Sequence, residues 1–279
     1  MARAGFAVVD THHHVGSLEA LGLSTGPSGL SSEEAAGRDL EARIATMDAT
    51  GVDQAVLIPG HGYLRPEGLA DTRRINDAIA AYRDRRPDRF PAALGVVEPL
   101  YGKAGLDELA RMRDELGLVG VSFHVRFQGV STNSPLVVEL VHRMAALGLV
   151  PYLHAVAEVA DEAMWKVEEV ARCEPDTTMV VLDAFSSYEQ SEQVLRVAER
   201  APNLVFDTSL SHGMHGPERL VRACGAERLV FGTDVYSHLV PQTRNPTLDS
   251  VVDAGLDDPA KSAILAGNLR RILGLGGSG

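Results

Sequence analysis

From end to end the chain repeats one unit: a short, wholly apolar run, then a longer stretch with apolar residues at helical spacing. Eight runs of this kind cover residues 6–12, 54–59, 92–97, 118–123, 149–153, 179–183, 204–207 and 229–232. Runs this short and continuous suit strands buried on both faces, as in a parallel sheet. The intervening stretches read as amphipathic helices. Ser31-Ser32-Glu33-Glu34 is an N-terminal capping signal, Leu40, Ile44 and Met47 share one helical face, and Thr50-Gly51 is a stop. Further helices are expected over residues 71–86, 105–116, 135–147, 158–173, 188–200, 217–223 and 259–273. Eight strand–helix units in 279 residues fit an α/β fold, a single-domain (β/α)8 TIM barrel, for which about 250 residues is typical. A doubly wound open sheet is the alternative, but the first run is not followed by the glycine-rich turn of a dinucleotide fold. The barrel is expected to span residues 1–273, with a possible active-site loop at 15–30 and a flexible tail at 274–279.

Composition narrows the setting. The net charge of −12 speaks against nucleic-acid or anionic-membrane partners. No run is long enough to cross a bilayer, and no secretory leader is expected. Two cysteines, Cys173 and Cys224, make no disulfide framework, so a reduced, cytoplasmic location is expected.

Three of the strand ends carry metal-binding chemistry. Asp10-Thr11-His12-His13-His14 closes the first run, Val150-Pro151-Tyr152-Leu153-His154 ends in histidine, and Leu229-Val230-Phe231-Gly232-Thr233-Asp234 ends in aspartate. Side chains alternate along a strand, so His12 and His14 share a face while His13 points away. Asp10, in phase with His12 and His14, is expected one layer deeper, either bonded to a ligand imidazole or in a structural role against the barrel floor. In a barrel these ends converge at the C-terminal mouth. Three imidazoles and a carboxylate suit one divalent metal ion, Zn2+ first, with Mn2+, Co2+ or Fe2+ also compatible.

With these motifs, and with Arg86-Pro87-Asp88-Arg89-Phe90 and Gly267-Asn268-Leu269-Arg270-Arg271-Ile272-Leu273, the chain resembles the amidohydrolase superfamily. The nearest group is amidohydrolase-2, which includes aminocarboxymuconate-semialdehyde decarboxylase. The resemblance implies a mononuclear site held by His12, His14, His154 and Asp234, with Asp234 also handling the proton of a metal-activated water. One position departs from the family: Val181-Leu182-Asp183-Ala184 carries alanine where relatives end the sixth strand with a histidine.

Other polar residues at strand ends are candidates for the missing acid/base group and for substrate binding. His124 and His212 are the candidate substitutes for that histidine. Arg126, His61, Tyr63 and His238 are candidate substrate-binding residues, Arg126 as a clamp for a carboxylate. Glu98 and Asp183 are further polar residues at such ends. The leading expectation is a metal-dependent hydrolase of a small organic amide, lactone or ester. The alternatives are a metal-dependent non-oxidative decarboxylase of a small carboxylic acid and a non-catalytic metal-bearing binding protein. The expected partner is a small-molecule substrate, with a homodimer possible.

Overall fold

A computed structural model describes residues 5–16, 31–63, 65–236, 239–240 and 242–276. Most of the expected loop after the first strand, from residue 17, lies outside the described residues, as does His238.

Eight parallel strands alternate with helices among the described residues. The strands are β1 (Val9–Val15), β2 (Gln54–Pro59), β3 (Ala92–Ala93), β4 (Gly120–Phe123), β5 (Val150–His154), β6 (Met179–Leu182), β7 (Leu204–Asp207) and β8 (Leu229–Val230). They pair as β1-β2-β3 and β4-β5-β6-β7-β8. Parallel bridges Gly95–Val121 and His13–Val235 join the two arcs, and Thr11 N–H donates to Phe231 O across the second seam. The result is the closed barrel expected from the alternation.

The alternation of burial follows the pleat. Val56 and Ile58, Ala92 and Leu94, Tyr152, Val180 and Leu182 fill the barrel interior, and Ala266 and Leu269 plug its base. Their neighbours Ala55, Leu57, Ala93, Leu153, Met179 and Val181 pack outward against the helices. Each strand is therefore apolar on both faces, which is why its sequence shows no polar alternation.

The helices are α1 (Ser32–Thr50), α2 (Leu69–Asp84), α3 (Lys103–Asp114), the single turn α4 (Val125–Gln128), α5 (Pro135–Leu147), α6 (Met164–Cys173), α7 (Tyr188–Arg200), α8 (His215–Cys224), α9 (Pro246–Asp253), α10 (Asp258–Ser262) and α11 (Asn268–Leu273). The Ser31–Glu34 capping box opens α1, and Gly51, at φ 77°, closes it. α9 is absent from the sequence-based expectation, although Asn245 caps it and Pro246 occupies its first turn. The single helix expected over 259–273 is interrupted by a π-turn, Ala263–Gly267. Within the segment expected as a tail, Leu275 N–H donates to Arg270 O and the Leu275 side chain packs against the barrel base.

Strand β1 contains the main departure. Its pairing with β2 slips by a residue between Asp10 and His13. Val9 belongs to the interior and Thr11 reaches the interior Tyr152 hydroxyl at 3.2 Å, yet His12, the next residue, also faces the axis. A slip of one residue exchanges the faces of everything after it. Asp10 therefore shares no face with His12 and His14. Its Oδ2 is 3.1 Å from His13 Nδ1, which corrects the expectation that it supports a ligand imidazole. No helix among the described residues is long and apolar enough to cross a membrane.

Candidate active site

Four side chains from three strand ends meet at the mouth. His12 and His14 from β1 bring their Nε2 atoms within 3.0 Å. Asp234, past β8, sets Oδ1 at 3.3 Å from His12 Nε2 and 3.5 Å from His14 Nε2. His154, the last residue of β5, has its ring centroid 5.2 Å from that of His12 and 5.6 Å from that of His14. Donor atoms of the three histidines all lie within 4.8 Å of one another.

Two atoms in this group are conspicuous. His154 Nδ1–H donates to Phe123 O at 2.9 Å, which turns Nε2 toward the cluster. That Nε2 and His14 Nδ1 are buried with no hydrogen-bond partner. A buried polar atom without a partner costs free energy, and a cation held at His154 Nε2 would remove that cost. The spacing fits as well. Ligand atoms about 2.1 Å from an ion stand about 3.0 Å apart at right angles and about 3.4 Å apart at tetrahedral angles. The residues present thus suit a divalent ion.

Electrostatics sorts the imidazoles. Burial, reinforced by the other histidines, holds His14, His61 and His154 well below the usual histidine range, so they are neutral at pH 7, the form that binds a cation. Burial would also push His12 down, but Asp234, Asp183 and Asp207 around it lift it to about 10. Burial pushes the Asp234 carboxyl up to about 7, opposed by His12 and aided by Asp183, Asp207 and Asp10.

His12 is held from behind. Its Nδ1 is 2.9 Å from Asp207 Oδ2 and 3.0 Å from Ser209 Oγ. Gly232 makes room for this contact, because a Cβ there would stand 2.5 Å from Asp207 Oδ2 and 3.0 Å from His12 Cβ. Sequence reading missed Asp207, although it ends an apolar run as Asp234 does. On the outer side of β1, the fully buried Arg43 of α1 bonds His13 Nε2 at 3.0 Å, the His14 carbonyl at 3.0 Å and Asp39. His13 therefore points away from the cluster, as expected.

Of the rim candidates, two histidines join the site. The His124 ring stacks on His154 with centroids 4.1 Å apart and planes 7° apart. Its Nδ1 is 2.6 Å from Glu162 Oε1, a buried carboxylate on the loop after β5 that no sequence signal marks. His61 sits edge-on to His124 and His154 at 5.6 Å each and bonds Ser122 Oγ through Nε2. Arg126 is exposed at the mouth, its guanidinium 4.7 Å over Phe127. Phe127 meets His124 at 4.8 Å, and Tyr236 lies 5.7 Å from His14.

Tyr63 and His212 stand elsewhere. The Tyr63 hydroxyl donates to Glu98 at 2.7 Å and pairs with Thr72 at 2.8 Å, so that buried trio, capped by Arg65, ties β2, α2 and the end of β3 together. His212 is exposed and lines a separate cleft of about 200 Å3 with Phe185, Tyr188 and Arg219, because the chain after Ser209 turns outward over α7 and α8. Neither is brought to the histidine cluster.

No curated protein matches the chain. Among solved structures, 5-carboxyvanillate decarboxylase from Sphingomonas paucimobilis is similar at a TM-score of 0.74 and 17% identity, covering 98% of this chain and 100% of the other. A 2,6-dihydroxybenzoate decarboxylase from Rhizobium is similar at 0.67 and 17%, covering 98% and 99%. A dihydroxybenzoic acid decarboxylase from Polaromonas, with bound manganese and 2-nitroresorcinol, is similar at 0.69 and 16%, covering 97% of each. These likenesses concern the fold. The amidohydrolase family model matches residues 9–275, nearly the whole chain and every strand of the barrel, and the chain belongs to that family.

Proposed function

We propose that this protein is a metal-dependent lyase that removes carbon dioxide, without oxidation, from a small aromatic carboxylic acid. One divalent ion would be held by His12, His14, His154 and Asp234. The observation that carries the reading is the convergence of His12, His14 and Asp234 at ligand spacing, with the buried, unpartnered Nε2 of His154 turned toward the two histidines. Decarboxylation is favoured over hydrolysis because the three similar structures named above are decarboxylases of carboxyvanillate or dihydroxybenzoate, and because the mouth suits such a molecule. Exposed Phe127 and Tyr236 offer ring faces, and Arg126 offers a fork for a carboxylate. Manganese is the first candidate ion, on the strength of the Polaromonas relative, with zinc the alternative.

The ion would supply Lewis acidity toward the substrate's carboxylate. The chain's own residues do the rest. Arg126 binds and orients the acid. The carbon–carbon bond breaks with its electron pair left on the ring carbon, carbon dioxide departs, and that carbon takes a proton. His124 is the residue assigned to deliver it. Glu162 holds Nδ1, so Nε2, which makes no hydrogen bond among the described residues, is the nitrogen that hands the proton over.

The test is turnover of hydroxybenzoates by the metal-loaded protein in isotopically labelled water. Carbon dioxide release that stops on chelation and returns with metal, with solvent deuterium at the vacated carbon, supports the reading. Solvent oxygen in the product of an amide, lactone or ester would overturn it in favour of hydrolysis. Metal binding without turnover of any substrate would make the chain a binding protein.

A further inference from the structure

Relatives end the sixth strand with a histidine where this chain has Ala184. Ala184 is fully buried in the apolar core, and its methyl group offers no acid or base. The residue before it does. Asp183 leaves β6 with φ 63°, in the left-handed region that L-residues rarely adopt, and Asp234 leaves β8 in the same way with φ 54°. Both thereby turn back toward His12. Asp183 Oδ1 is 3.8 Å from His12 Nδ1, and donor atoms of His12, Asp183 and Asp234 all lie within 4.8 Å of one another. This triad and the His12–His14–His154 triad share His12.

Asp183 is fixed in that place. Its N–H donates to Asp207 Oδ1 and Ser209 Oγ at 3.1 Å each, and Ser209 Oγ is 2.8 Å from Asp183 Oδ1. Oδ2 has no hydrogen bond among the described residues. The carboxylate thus has one oxygen anchored by Ser209 on the Nδ1 side of His12 and one without a hydrogen bond.

We propose that Asp183 is a fifth ligand to the divalent ion, giving a site of three imidazoles and two carboxylates. This rests on the metal site proposed above. Two carboxylates balance a 2+ charge beside three imidazoles that are neutral once the ion has displaced the His12 proton. Five protein donors exceed the four of a tetrahedral zinc site and leave one octahedral position for substrate. The added oxygen shifts preference from zinc toward a harder ion such as manganese.

The experiment compares the metal-free natural protein with Asp183→Asn and His154→Ala, titrating each with Mn2+ and Zn2+ by calorimetry and recording Co2+ absorption spectra. The natural protein should give the weak Co2+ bands of high coordination. Asp183→Asn should lose at least about tenfold in Mn2+ affinity, lose less for Zn2+, and show stronger Co2+ bands. Loss of metal in His154→Ala but unchanged affinity and spectrum in Asp183→Asn would overturn the fifth ligand and leave the four-ligand site standing. Failure of the natural protein to bind any of the three ions would overturn both. Should Asp183→Asn not fold, the spectrum of the natural protein decides: intense tetrahedral bands contradict the proposal.

Discussion

His12 and Asp207 are separated by 195 residues, yet Nδ1 of one lies 2.9 Å from Oδ2 of the other, with both side chains wholly buried. This contact fixes the imidazole's tautomer and aims Nε2 at His14 and Asp234. A carboxylate behind a ligand imidazole raises its basicity as well as orienting it.

Asp207→Asn should therefore weaken metal binding by about ten- to a hundredfold while the barrel stays folded. Competitive metal titration with a far-ultraviolet circular dichroism control checks this. Gly232→Ala should act in the same direction, since its new Cβ pushes on both partners. Unchanged affinity in both variants would show that the contact does no orienting.

Arg43 is a fully buried cation bonded to His13, the His14 carbonyl and Asp39. Removing one member of a buried charged network leaves the others unpaired. Arg43→Ala should cost about 3 kcal/mol of stability, read as a lower denaturation midpoint in urea. A loss below about 1 kcal/mol, the range of surface ion pairs, would contradict this account.

Glu108 sets a pH dependence far from the site. Burial would raise its pKa, but hydrogen bonds from Arg111, Asn76 and Arg73 outweigh that and hold the carboxyl below its usual value. Its folded pKa thus lies below its unfolded value of about 4.3. The stability it contributes is present above the unfolded pKa and is lost as pH falls through the folded one. The natural protein should exceed Glu108→Gln in stability at pH 7, and the gap should close below about pH 4. A gap constant from pH 7 to pH 3 would contradict the assignment.

His124 and Arg126 should separate kinetically. His124→Gln, with metal content unchanged, should lower kcat by about 10²–10⁴, whereas Arg126→Ala should act mainly on KM. Equal loss in both parameters for both variants would contradict the division of roles.

Much of the barrel was legible because its signals are local. The Ser31–Glu34 box and Gly51 mark the ends of α1, and the apolar runs mark the strands. The ends of those runs pointed to His12, His14, His154 and Asp234 for the same reason. The rest depends on contacts no window contains. A one-residue slip in β1 sends Asp10 to His13. Glu162 reaches His124 from a loop, and Tyr63 is taken up by Glu98 and Thr72. Asp207 carried the same end-of-run signal as Asp234, but its role appears only when the closed barrel brings the end of β7, one strand beyond β8, to the His12 ring.

Elemental analysis of the purified protein after equilibration with Mn2+ tests the central claim most directly. About one ion per chain is expected in the natural protein, and far less in His12→Ala and Asp234→Ala. Full occupancy in both variants would show that the cluster at the barrel mouth is not where the metal binds.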